Sequence, residues 1–176
     1  MRVWLILIVI ILTACQSSET LGEAIQSDIP FNVAKVIHTE KVEDGEVILY
    51  ITEQKKGNEP INGLAVAFMK KEEEGWYNAG NNHWDYKENP NMTVYLNTFY
   101  DYDKKGNLIQ KIPVIFGKIE NKSIQTVQVA RQDGKYENAK LIYQDGEQYF
   151  IKLGEYFIAE GLNSKREVVE RYEKKK

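Results

Sequence analysis

Val42-Glu43-Asp44-Gly45-Glu46-Val47-Ile48-Leu49-Tyr50-Ile51, followed by Gly63-Leu64-Ala65-Val66-Ala67-Phe68-Met69-Lys70, decides the fold. Both runs are short, rich in β-branched and aromatic side chains, and bounded by Asp, Asn, Gly or Pro, which is the pattern of strands. Asp44-Gly45 gives the tightest hairpin signal, because both central positions of such a turn favour positive φ. The two runs are apolar on both parities, whereas a half-exposed strand alternates. They are therefore expected to lie centrally with both faces covered, by the Leu21/Ile25 segment or by a second sheet.

Outward from this pair the same reading continues. Asn32 to Val42, Glu46 to Glu53 and Gly63 to Lys70 are strands, with Lys55 to Asn62 a loop containing Gly57 and Pro60. Gly75 to Tyr86 holds one strand around Trp76 to Asn78, a loop through Asn82 and a return near Trp84. Met92 to Tyr102 alternates as a strand. Leu108 to Glu120 follows, with Pro113 arguing for an edge position or a break. Ile124 to Ala130, Tyr136 to Tyr143, Gln148 to Leu153, Tyr156 to Leu162 and Glu167 to Tyr172 complete the series, with turns at Asp133-Gly134 and Asp145-Gly146. Ile124, Val127 and Val129 do not share a parity, so placing all three in the core calls for a bulge near Gln125-Thr126. Strands at this spacing predict an all-β, antiparallel β-sandwich type of fold over residues 31–176. It is either one continuous assembly or two packed β modules dividing near residue 90.

The N-terminus has a different character. Arg2 supplies a basic start, Val3 to Leu12 an apolar run, and Leu12-Thr13-Ala14-Cys15 a small-residue site ending in the chain's one cysteine. The run is shorter than the ~20 apolar residues that span a bilayer, and it reads as an export signal. Leu12 to Cys15 resembles a bacterial lipobox. The resemblance implies cleavage between Ala14 and Cys15 and a diacylglyceryl group on the Cys15 thiol, which anchors the chain to the extracytoplasmic face of the cell membrane. Residues 1–14 are then a signal peptide and 15–30 a tether or short helix, with Ser18 as candidate cap and Pro30 as its limit. One cysteine excludes intramolecular disulfides.

Phe116-Gly117-Lys118-Ile119-Glu120-Asn121-Lys122-Ser123-Ile124-Gln125-Thr126-Val127-Gln128-Val129, with Ala139 to Tyr143 and Tyr149-Phe150, resembles the C-terminal part of small uncharacterised lipoproteins of Gram-positive, spore-forming bacteria. The resemblance spans about Ile112 to Glu173. It implies a β-sandwich module and carries no activity to transfer.

The mature part has 22 basic and 26 acidic residues, a charge of about −4, which offers no electrostatic footprint for nucleic acid. Asp101, Asp103 and Gly106 resemble the start of a calcium loop. Lys105 and Ile112 then stand where oxygen ligands are needed, so a plain turn is expected. His38 and His83 lie apart without metal-ligand spacing, and no phosphate loop, nucleophile elbow or zinc-protease motif occurs. No catalytic residue, metal or cofactor is expected.

The most site-like side chains are Trp76, Tyr77, Asn81, Asn82, His83 and Trp84, since aromatic rings stack on sugars and amides bond hydroxyls. The tryptophans could equally fill the core. The function expected is a non-catalytic binding or interaction module whose partner is an envelope protein or glycan. The alternatives are an envelope hydrolase or its inhibitor, or a barrel that carries a small ligand.

Overall fold

The computed structural model describes residues 18–84 and 86–174. One helix, α1 (Leu21–Asp28), precedes the strands β1 (Val33–Val42), β2 (Gly45–Lys56), β3 (Glu59–Glu72) and β4 (Gly75–Asn81). Then come β5 (Tyr95–Tyr102), β6 (Leu108–Ile119), β7 (Thr126–Ala130), β8 (Tyr136–Asn138) and β9 (Lys140–Gln144). The last are β10 (Glu147–Leu153), β11 (Ile158–Leu162) and β12 (Val168–Glu173). They form three antiparallel sheets, ordered β1-β2-β3-β4, β5-β6-β10-β9 and β12-β11-β7-β8. The fold is thus all-β and of sandwich type, with open sheets. The first sheet draws only on the chain before Asn82, and the other two only on the chain after Val94.

The sheets stack because their side chains leave no alternative. Val47, Leu49, Leu64, Val66 and Phe68 of the first sheet meet Phe99, Ile112, Val114, Phe116 and Ile151 of the middle one. The opposite parity of the middle sheet, Ile115, Ile119 and Phe150, packs on Val127, Val129 and Ala159 of the third. On the outer face of the first sheet, Ile48, Tyr50, Ala65, Ala67 and Met69 are covered by Ala24, Ile25 and Ile29 in and after α1. The both-parity runs are therefore covered by both expected elements, the helix on one side and a sheet on the other. The helix is capped by Thr20, not Ser18: Thr20 and Glu23 form a reciprocal capping box, which satisfies N–H groups that the first turn leaves unpaired.

Several local readings differ from the structure, each for a physical reason. The β1–β2 turn residues are Glu43 and Asp44, because Gly45 already pairs with Val42 and with Lys70. Gly45 is required by close approach, since a Cβ there would fall on the Met69 carbonyl. The Asp145-Gly146 turn does use positive φ at both positions, 51° and 79°, as a two-residue hairpin asks. Lys55 to Asn62 is not a loop: β2 and β3 pair out to Lys56 and Glu59, leaving only Gly57-Asn58 to turn.

Pro113 lies in a central strand, between β5 and β10. Its carbonyl accepts from the Gly154 N–H at 2.8 Å. In a strand the nitrogen points the same way, here beyond Leu153 where β10 ends, so the missing N–H costs no ladder bond. Ile124 needs no bulge, because β7 begins only at Thr126 and Ile124 is buried from the preceding turn. Tyr136 to Tyr143 is two strands in two sheets, with Ala139 between them.

A buried ion pair joins the first and middle sheets: Lys70 Nζ donates to Asp101 Oδ2 at 2.6 Å. That hydrogen bond holds the Lys70 ammonium above its ordinary pKa, against the opposing effect of burial. A lysine whose folded pKa is raised contributes stability below its unfolded value of about 10.4 and loses it as pH rises through the folded one. Asp101→Ala, which strands a buried cation, is expected to cost about 3 to 5 kcal/mol, and Lys70→Met/Asp101→Leu much less. Urea melts check this, and the double variant is expected to lose less stability than the wild type as pH rises above 10.

Candidate functional site

The aromatic and amide stretch begins with β4, an edge strand. A bulge between its pairs Phe68–Gly80 and Met69–Asn78 leaves Ala79 as the extra residue. Asn78 Oδ1 accepts from the Gly80 N–H at 3.0 Å, and its Nδ2 reaches the Asp28 carbonyl at 3.2 Å. Asn82 prolongs the ladder past the last strand residue: its N–H donates to the Val66 carbonyl at 3.1 Å, and its Oδ1 accepts from the Val66 N–H at 2.7 Å. Much of the amide content thus serves to bend and end this strand. No return strand forms near Trp84 among the described residues.

The six candidate residues separate into three places. Trp76 and Trp84 are half-buried on the outer face of the first sheet, packed on the core beneath α1. Trp76 also pairs through its backbone with Ser18, and the Lys71 ammonium stands 5.7 Å from its ring centre. Tyr77 lies beside the Lys70–Asp101 pair and donates to Glu72 Oε1 at 3.1 Å. Burial and that acceptor both push its phenol pKa up.

Asn81, Asn82 and His83 do converge. They line an open groove of about 540 Å³ with Val94 to Asn97 of the β5 region, Lys87, Tyr172 and Lys174. The groove runs where β4, β5 and β12 lie side by side, each the edge strand of its own sheet. Asn82 is committed to Val66 and the Asn81 amide to neighbouring groups, while His83 is exposed, its ring 6.2 Å from that of Phe31. His83 and Asn97 are thus the polar side chains the groove presents beside the half-buried Tyr172, while the Tyr95 ring is buried and stacked on Phe116 at 5.4 Å.

A second, smaller cleft of about 180 Å³ opens at the mouth between the first and middle sheets. Ile51, Leu64, Tyr95 and Tyr149 form its apolar part. Across it Lys118 Nζ meets Glu120 at 2.8 Å and Glu147 at 3.0 Å. Burial lowers the Lys118 pKa, but the two carboxylates outweigh it and the net direction is upward. On the third sheet, Glu160 is buried under Gln128, Tyr136 and Arg171, whose hydrogen bonds outweigh burial and lower its pKa. These groups were invisible in the sequence, since each network joins strands brought together only by register.

The other sequence candidates resolve as structure. Asp103 accepts from the N–H groups of Lys105 and Asn107 and from the Asn107 side chain, each at 2.8 Å, while Asp101 turns to Lys70. The two carboxylates do not converge. His38 bonds Glu40 at 2.6 Å, and Glu40 also meets Lys140 of the middle sheet at 3.2 Å. Among the described residues, no group of three or more His, Cys, Asp or Glu side chains is placed to hold a metal ion. Cys15 lies outside the described residues.

Comparison with protein-family models, curated proteins and solved structures finds no match to this chain. The geometry leaves the two tryptophans to packing. Trp76→Ala and Trp84→Ala are each expected to cost about 2 kcal/mol or more in urea melts, since half-buried rings lose less than the ~3 to 5 kcal/mol of a buried one. His83→Ala is expected to leave the melt unchanged.

Proposed function

We propose that this chain is a lipid-anchored extracytoplasmic module that binds an extended envelope ligand, a glycan or peptide strand, along the groove at its three sheet edges. The groove carries this reading: three of the residues singled out from the sequence for recognition meet there, beside the edge strand β5 and Tyr172. An extended ligand suits such a place, because edge strands offer backbone groups in a row and amide and aromatic side chains add selectivity. Attachment rests on the lipobox-like Leu12 to Cys15, with Ser18, three positions on, bridged to Trp76. No residue is assigned a catalytic role.

Two outcomes are expected. Cys15→Ala abolishes incorporation of labelled fatty acid and membrane retention, and retention of label in that variant would refute the anchor. Soluble muropeptides, which combine glycan and peptide, shift the backbone resonances of residues 81–83 and 94–97. His83→Ala/Asn97→Ala then weakens binding about tenfold or more, equivalent to ~1.4 kcal/mol. Resonance changes confined to another face would exclude the groove.

A further inference from the structure

The end of the domain from which the anchor segment leaves is fixed by hydrogen bonds. Ser18 N–H donates to the Trp76 carbonyl at 3.0 Å, and Trp76 N–H to the Ser18 carbonyl at 2.8 Å. Trp76 pairs with Lys71, whose N–H donates to the Asp44 carbonyl at 2.9 Å. The neighbouring Lys70 meets Asp101, one residue before the tip of the β5–β6 hairpin. Ser18, the β1–β2 turn, the β3–β4 turn and the β5–β6 turn therefore share one end of the molecule.

That hairpin has the unusual surface. Tyr100, Tyr102, Leu108 and Ile109 are 49%, 55%, 53% and 54% exposed, half of the eight large hydrophobic side chains exposed among the described residues. Tyr102 pairs directly with Leu108, and Ile109 is the extra residue where the register shifts. The turn between them is held firmly by the three hydrogen bonds to the Asp103 carboxylate, so the apolar tip projects as a defined element. Lys104 and Lys105 stand exposed at its apex. Tyrosine with aliphatic neighbours and a lysine apex is the composition that settles at a bilayer interface.

We propose that the β5–β6 hairpin is a second membrane contact, inserting Tyr100, Tyr102, Leu108 and Ile109 into the headgroup region and fixing the domain's orientation on the bilayer. The inference rests on the lipid anchor at Cys15. Only Gln16 and Ser17 lie between Cys15 and Ser18, and the three residue steps reach at most about 11 Å, so this end of the domain is held at headgroup depth. The acidic Glu72-Glu73-Glu74 turn stands at the same end. It offsets the two lysines, so the contact depends on apolar insertion and varies little with the anionic lipid content.

The test uses the intact lipidated chain in phosphatidylcholine vesicles, with mass spectrometry reporting lipid on Cys15. That lipid occupies the native thiol. A polarity-sensitive label is placed on Tyr102→Cys or, as control, on Tyr143→Cys, which is 70% exposed at the far end of the middle sheet. The expected result is a blue-shifted label at 102 that a lipid-borne quencher reaches about threefold or more better than the label at 143. Adding Leu108→Glu/Ile109→Glu is expected to return the label at 102 to the value at 143. Equal quenching at both positions in a chain carrying lipid on Cys15 would overturn the hairpin contact and leave the anchor standing. So would a shift that survives the glutamate variant, which would indicate a protein neighbour. A chain without lipid on Cys15 would overturn both.

Discussion

The structure depends on a sheet that has no side facing water. In β6, Ile112, Val114 and Phe116 point to the first sheet while Ile115 and Ile119 point to the third, and β10 divides Ile151 from Phe150 in the same way. A strand buried on both faces can satisfy its polar backbone only through its ladder neighbours. This is why β6 is central, why Pro113 is tolerated only where its nitrogen passes the end of β10, and why the third sheet is needed. The charge that bridges into this layer, Asp101, is matched by Lys70 at once.

The sequence makes some of this plain and hides the rest. Apolar residues on both parities at Val47 to Ile51 and Leu64 to Met69 announce a doubly covered sheet without any knowledge of topology, and α1 and the middle sheet provide the cover. Asp145-Gly146 is legible because turn chemistry is local. Asp44-Gly45 misleads, since the same glycine is demanded by the Met69 carbonyl pressing on it from across the ladder, and no local pattern records that contact. Tyr136 to Tyr143 reads as one strand because periodicity does not register a change of sheet. Its crossing at Ala139, whose N–H donates to the Val127 carbonyl at 2.8 Å, is a tertiary event.

The candidate site shows the same division. The density of Asn78, Asn81 and Asn82 was visible, but its first cause is a bulge and a strand end. What the sequence could not supply is the company these residues keep, Asn97, Tyr95 and Tyr172, which arrive from two other sheets. Asn91 ties the middle sheet to the β12 edge. Its carbonyl accepts from the N–H groups of Glu120 and Asn121, and its amide donates to Glu170 of β12 at 2.9 Å. Edge strands are sites of unwanted pairing unless something covers or occupies them, so a groove at their junction invites an extended ligand more than a compact one.

The Ser18–Trp76 bridge also sets how the domain responds to force. Under the proposed anchor, a pull toward the membrane would enter through Ser18 and meet its two backbone hydrogen bonds to Trp76 and its side-chain contact to Ser27. When that clip opens, the load passes to α1, held to the sheet by Ala24, Ile25 and Ile29 and by the Asn78 contact to Asp28. The two cores between the sheets contain no residue of α1. Unwinding residues 18–28 would lengthen the leash by up to about 35 Å. With the anchor proposed at Cys15, the N-terminal helix would act as a mechanical fuse in series with it, extending under tension before the proposed groove feels it.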